Sequence, residues 1–90
     1  MVSGPIYTRL TDDDLIALSR LGLPDAWKTL TRRYERLIRA VARRSGCDGE
    51  DVYRATCERL REDLDALRDR RSLASWLVST ASAVSRRSDI

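Results

Sequence analysis

The chain has 90 residues, 42% apolar and 34% charged, with a formal net charge of +3. This length supports one domain with a single core and excludes two-domain architectures. There is no histidine, and Cys47 and Cys57 are the only cysteines, which argues against a zinc site and a disulfide framework. There is also no apolar run long enough to span a membrane. We therefore expect a cytoplasmic protein without metal or cofactor.

The beginning of the chain predicts a lead-in followed by a short helix. Residues 1–10 include the turn residues Ser3-Gly4-Pro5, and we expect this segment to be disordered. Thr11 is typical of a helix N-cap, and the aspartates after it favour the helix dipole. Gly22 should end this helix, and Pro24 should begin the next one. The expected apolar face of the first helix consists of Leu15, Ile16, Leu18 and Leu21.

Three longer helices are predicted from apolar residues spaced three or four apart. We expect the first over about 25–44, ended by Ser45-Gly46, the second over about 49–67 with Asp48 as its N-cap, and the last after Ser72. The predicted fold is all-α: a compact bundle of three main helices and one short N-terminal helix over 11–88, with a tail at 89–90. The expected buried positions are Trp27, Leu30, Tyr34, Leu37, Ile38 and Val41, then Val52, Thr56, Leu60, Leu64 and Leu67, then Leu73, Trp76, Leu77, Thr80, Ala81 and Val84.

The charges are segregated along the chain. The stretch 48–67 holds seven acids against three arginines, whereas 28–44 and 68–87 are rich in arginine. An acidic helix in a basic protein suggests a docking face, although many charged helix faces are only solvated surface. Arginine suits contact with phosphates and bases, although GC-rich coding also enriches it.

Several short motifs occur in a fixed order along the chain. They are Asp12-Asp13-Asp14-Leu15, Gly22, Ala26-Trp27, Leu30, Tyr34, Arg43-Arg44, Gly46, Glu50-Asp51-Val52, Thr56, Ser72-Leu73, Trp76-Leu77 and Ala81. With this order and spacing, the chain resembles region 2 of sigma-70 family transcription initiation factors of the extracytoplasmic-function group. The resemblance covers about 11–87. The resemblance does not extend to the helix-turn-helix of region 4, which forms the second half of such factors.

The resemblance implies two contacts and a possible anti-sigma factor as a further partner. One contact is with the coiled-coil of the largest subunit of core RNA polymerase, which carries basic residues. The other is with the melted non-template strand of the −10 promoter element. The residues expected at the polymerase contact are Glu50, Asp51, Arg54 and Glu58. Those expected at the DNA contact are Arg68, Arg70, Arg71, Ser72, Arg86 and Arg87.

Two other functions remain open. The family's Gln-Glu pair is Arg54-Ala55 here, and its Arg-Asn pair is Ser82-Ala83. These departures favour a degenerate sigma-like module that binds polymerase or an anti-sigma partner without reading DNA. A small helix-turn-helix protein that binds duplex DNA is the other alternative. An enzyme is not expected, because the sequence offers no nucleophile–base pair and no glycine-rich phosphate loop.

Overall fold

A computed structural model of the protein describes residues 7–67 and 73–88, apart from the side chains of Ala66, Arg87 and Ser88. Every regular element in these ranges is a helix, so the all-α prediction is confirmed. The Cα radius of gyration is 13.1 Å, close to the value of about 12 Å for a compact chain of this length. None of the described helices is long and apolar enough to cross a bilayer. The helices are α1 (Asp12–Arg20), α2 (Pro24–Arg33), α3 (Glu35–Arg44), α4 (Gly49–Glu62), α5 (Leu64–Leu67) and α6 (Leu73–Ser88).

The helices form two groups that share one core. Helices α3, α4 and α6 all pack on one another, and we call them the three-helix bundle. Helix α1 packs on α2 and on the short α5, and we call these three helices the α1 group. The chain passes from the α1 group to the bundle between α2 and α3, and it returns between α4 and α5. Both crossings therefore fall inside stretches whose apolar spacing predicts a continuous helix.

The predictions of unbroken helices over 25–44 and 49–67 are wrong at one residue each. Tyr34 has φ −109° and ψ 8°, and Asp63 has φ −101° and ψ 11°, which leaves the helical region in both cases. The next helix starts at once, because Ile38 N–H donates to the Tyr34 carbonyl at 3.0 Å and Leu67 N–H donates to the Asp63 carbonyl at 3.1 Å. Each break redirects the chain so that the two halves can pack on different partners.

The helix ends follow the local sequence. The Thr11 hydroxyl accepts a hydrogen bond from Asp14 N–H at 3.1 Å, and Asp48 accepts from Glu50 N–H at 2.8 Å, so both predicted N-caps are confirmed. Gly22 has φ +89° in the turn after α1, a backbone conformation that favours glycine. Pro24 occupies the first turn of α2, as predicted.

Most of the predicted buried positions are confirmed, including all five on the third predicted stripe, from Val52 to Leu67. Leu21 is the clearest error: α1 ends at Arg20, and the Leu21 side chain in the following turn is 77% exposed. Tyr7 and Leu10 fall in the expected lead-in but pack against the core. The half-buried predicted positions are Leu18, Trp27, Tyr34, Leu37, Trp76 and Thr80. The buried positions not predicted are Ala26, Thr31, Ala42 and Ser85.

Candidate docking site

The residues predicted to contact polymerase all lie on the outer face of α4. The opposite face of the helix buries Val52, Thr56 and Leu60 in the core. The helical period then turns the side chains between these positions toward solvent. The exposed residues include Glu50, Asp51, Arg54 and Glu58. The structure thus brings all four to one accessible surface.

Three of these residues border a groove between α2 and α4, with a volume of about 310 Å³, which we call the α2–α4 groove. Glu50, Arg54 and Glu58 were predicted from the sequence. The neighbouring row of α4 residues, which lines the same groove, was not. Tyr53, Cys57 and Arg61 recur every four residues, and that spacing is the signal that would have revealed them. The groove is lined by Trp27, Thr31, Glu50, Tyr53, Arg54, Cys57, Glu58 and Arg61.

Glu50 differs from the other acids on this surface because two arginines already bind it. Arg39 of α3 donates to Glu50 at 2.9 Å and to Glu35 at 2.8 Å, and Arg54 lies 3.5 Å from Glu50. The hydrogen bond from Arg39 holds the pKa of Glu50 below its usual value. Glu50 therefore connects α4 to α3 through a charged network at the surface.

Among the described residues, Asp51, Glu58 and Glu62 are exposed acids of α4 that make no ion pair. Asp51 and Glu58 are the two of them predicted to contact polymerase. Their separation of seven positions on α4 corresponds to about 10 Å, or two helical turns. The face thus presents two uncompensated carboxylates at a spacing that a second helix can match with basic side chains.

Two arginines stack on the aromatic rings of the groove. The Arg39 guanidinium lies 5.1 Å from the centre of the Tyr53 ring, and that of Arg61 lies 5.2 Å from the centre of a Trp27 ring. Burial raises the pKa of the half-buried Cys57 thiol, so this residue stays protonated at neutral pH. The groove therefore combines aromatic surface and charge and contains no activated nucleophile among its lining residues.

The predicted DNA contact is described only at its end. Arg86 is exposed near the C-terminal end of α6. Residues 68–72, with Arg68, Arg70, Arg71 and Ser72, lie outside the described residues, as does the side chain of Arg87.

A second groove of about 350 Å³, the α6 groove, lies between α4 and α6. Trp76 was predicted to be a core residue; it packs against the core but is half-buried and also borders this groove. Arg59 of α4 adds a cation that the sequence did not single out. The groove is lined by Arg59, Ser75, Trp76, Ser79, Thr80 and Ala83.

Comparison of the chain with protein-family models, with curated proteins and with solved structures finds no match. In the described ranges, no cluster of three or more aspartate, glutamate or cysteine side chains is placed to hold a metal ion. The functional interpretation therefore depends on the ordered motifs and on the geometry of the two grooves.

Proposed function

We propose that the chain is a sigma region 2-like domain that docks on core RNA polymerase through the outer face of α4 and contacts the melted promoter strand through α6. The observation that supports this most directly is the exposure of Glu50, Asp51, Arg54 and Glu58 on one helix whose other face is buried. These are the residues that the sequence resemblance assigns to the polymerase contact.

The charges on α4 suit the basic coiled-coil that the resemblance implies as partner. Asp51 and Glu58 can pair with lysine or arginine on a helix lying along α4, and Tyr53 adds aromatic surface in the α2–α4 groove that Glu58 borders. Complementary charge of this kind raises the association rate and fixes the register more than it raises affinity. Docking should therefore weaken steeply as salt is added.

Charge reversal at Asp51 provides the sharpest test, because α1 offers a matched control. Asp51 is three residues after the Asp48 cap of α4, and Asp14 is three residues after the Thr11 cap of α1. Both are exposed, so Asp51→Lys and Asp14→Lys oppose the helix dipole to a similar extent.

Binding to the isolated coiled-coil of the largest polymerase subunit is the readout. We expect Asp51→Lys, the variant compared with Asp14→Lys, to weaken binding by about threefold or more at low salt, and its combination with Glu58→Lys by about tenfold or more, since close charge pairs become repulsive. Asp14→Lys should leave it within about twofold, as expected of a charge remote from the contact. Equal losses in both variants, or no binding of the unmodified chain, would overturn the proposed docking.

The DNA contact is supported by the α6 groove, which Arg59 and three residues that carry hydroxyl groups line together with Trp76. A cation with an aromatic face is the usual means of holding unstacked bases and their phosphates. We expect the chain to prefer single-stranded DNA to the same sequence as a duplex, with an affinity that falls with salt.

The Arg59→Ala variant tests this contact without touching the acidic face of α4. It should weaken the single-strand complex and leave coiled-coil binding unchanged. Tighter binding to duplex than to single strands would favour the helix-turn-helix alternative. Coiled-coil binding with no DNA binding would favour the protein–protein module.

A further inference from the structure

A third groove lies beside the turn between α1 and α2 and adjoins the α2–α4 groove, with which it shares Trp27 and Arg61. Its volume is about 490 Å³, larger than that of either groove described above. We call it the turn groove. Its apolar lining comes from Leu23 and Pro24 of the turn, Trp27 of α2 and Leu64 of α5. A concave apolar surface of this size is typical of binding sites in proteins.

The turn beside this groove exposes two leucines. The Leu21 side chain is 77% exposed, and that of Leu23, which lines the groove, is 38% exposed. Among the described residues, the only other large apolar side chain with comparable exposure is Val78 on α6. Two of these three residues therefore belong to one turn, and exposed apolar groups that cluster in this way mark interaction surfaces.

The charge around the turn groove has one sign. Lys28 and Arg61 line it, no acidic residue does, and neither cation makes an ion pair with any residue that the structure describes. The α2–α4 groove on the other side of Trp27 includes Glu50 and Glu58. The two grooves share Trp27 and Arg61, but they present opposite charge to a partner.

Ser19 of α1 and Gly22 of the turn complete the lining of the groove. The Ser19 Oγ atom is buried, so it offers no hydrogen bond to an occupant. An occupant that fits the groove has apolar side chains for Leu23, Trp27 and Leu64 and carboxylates for Lys28 and Arg61.

We propose that the turn groove docks an acidic amphipathic helix of a partner protein, with leucine-type side chains in the groove and glutamate or aspartate on Lys28 and Arg61. This goes beyond the polymerase and DNA contacts, because it uses a different surface and the opposite charge. A helix fits better than a small amphiphile because the exposed leucines extend the apolar surface past the rim of the groove.

The test uses the emission of Trp27 in the whole chain, with Trp76→Phe introduced so that only one tryptophan reports. The probe is a helical peptide of about four turns with leucines on one face and glutamates beside them. We expect a saturable change in emission with a Kd on the order of 10–100 μM, typical of a small interface. Heteronuclear NMR of the same titration should shift the amides of the α1–α2 turn.

Matched variants distinguish a loss of binding in the turn groove from general effects of changed charge or apolar surface. Leu21→Ser with Leu23→Ser should weaken peptide binding by about tenfold, from the loss of apolar contact. Lys28→Glu should weaken it by roughly three- to fivefold, as one partly exposed charge pair becomes repulsive. Val78→Ser is the control for Leu23 because both side chains are 38% exposed. Arg36→Glu on the exposed side of α3 is the control for Lys28, and both controls should bind like the parent.

Three results would overturn the proposal. The first is an equal affinity for the same peptide with lysines in place of the glutamates. The second is the absence of a saturable change up to about 1 mM peptide, which is weaker than a specific site of this size should be. The third is binding of dodecanoate but not of the peptide, which would assign the groove to a fatty acid. Coiled-coil binding should be unaffected by Leu21→Ser and Leu23→Ser, so failure here is distinguishable from failure of polymerase docking.

Discussion

The α1 group and the three-helix bundle use their polar side chains differently. In the α1 group, polar side chains connect the two ends of α1 to the two points where the long helices break. Asp12 at the beginning of α1 binds Arg33 and Tyr34, and Arg20 at its end binds Asp65. In the bundle, Arg39 of α3 binds Glu50 of α4 at the surface, while the hydroxyls of Thr56 and Ser85 are buried without a hydrogen-bond partner. Polar contacts thus accompany the turns of the chain in the α1 group, whereas in the bundle they lie on the surface of helices packed through apolar side chains.

The two ends of α1 are also unequal. At the first break, the Asp12 and Arg33 side chains are 28% and 27% exposed, and the Tyr34 hydroxyl also donates to Asp12. At the second break, Asp65 is 88% exposed, and Arg20 is its one ion-pair partner among the residues that the structure describes. A half-buried network with several donors should contribute more than a single exposed ion pair.

The largest effect is expected at Asp12. Asp12→Ala should lower the free energy of unfolding by about 2 kcal/mol, because it leaves the Tyr34 hydroxyl without its acceptor and Arg33 with only the Thr8 carbonyl. Urea unfolding followed by circular dichroism measures this loss. Asp13→Ala is the control, since Asp13 lies in the same first turn and is exposed. Equal losses in the two variants would assign the effect to the helix dipole.

The Tyr34 hydroxyl should give the next largest effect, of about 1.5 kcal/mol for Tyr34→Phe, because one hydrogen bond to a carboxylate is lost. Burial and the contact with Asp12 raise the pKa of Tyr34 to about 12. The unfolded chain has the ordinary value of about 10. The folded state thus holds this proton more tightly, and its contribution is complete below pH 10 and lost as the pH rises toward 12.

Urea unfolding at pH 8 and at pH 11 tests whether the contribution of Tyr34 to stability falls as the pH rises. The stability difference between the parent and Tyr34→Phe should be smaller at pH 11. Because burial also raises the pKa of Tyr53, the comparison between the two proteins, rather than the parent alone, isolates Tyr34. A difference that is constant with pH would mean that Tyr34 and Asp12 are not coupled.

Removing a buried hydroxyl from the bundle should raise the free energy of unfolding, whereas the preceding substitutions lower it. Thr56→Val keeps the shape and the β-branching, removes a buried group with no partner, and should raise the free energy of unfolding by about 1 kcal/mol. Thr31→Val is the matched control in α2, because the Thr31 hydroxyl donates to the Trp27 carbonyl at 3.1 Å. That variant should be destabilised. Destabilisation of both would indicate that Thr56 has a partner in solution, such as a bound water.

The smallest effect is expected at the second break. Arg20→Ala and Asp65→Ala should each lower the free energy of unfolding by no more than about 0.5 kcal/mol, as is usual for an exposed ion pair. A double-mutant cycle measures the coupling directly. Coupling above about 1 kcal/mol would show that the second break is held as firmly as the first, and the contrast between the two ends of α1 would then fail.

The sequence predicted those parts of the fold that follow from local pattern. The caps at Thr11 and Asp48 and the buried stripe from Val52 to Leu67 depend on spacing within one helix, and they were confirmed. The breaks at Tyr34 and Asp63 could not be predicted, because each serves contacts between helices far apart in the chain. For Tyr34 that contact is with Asp12, 22 residues earlier.

The candidate site also has a part that could be predicted from the sequence and a part that could not. The exposure of Glu50, Asp51, Arg54 and Glu58 followed from their positions opposite the buried stripe of α4. The grooves did not, because they depend on how Trp27 of α2 and Trp76 of α6 meet α4. Leu21 shows the limit most clearly: its spacing matched α1, but the helix ended one residue before it.

Lys28 is the single lysine of the chain, which matters for chemical crosslinking. Chemistry directed at lysine amines can modify one side chain only, and that side chain lies on the turn groove. Among the side-chain amines of the chain, only Lys28 can form an amide with a carbodiimide-activated carboxylate of a bound partner, so a crosslink at Lys28 would identify a neighbour at the turn groove. The arginine-rich composition thus leaves one lysine as the attachment point for such a link.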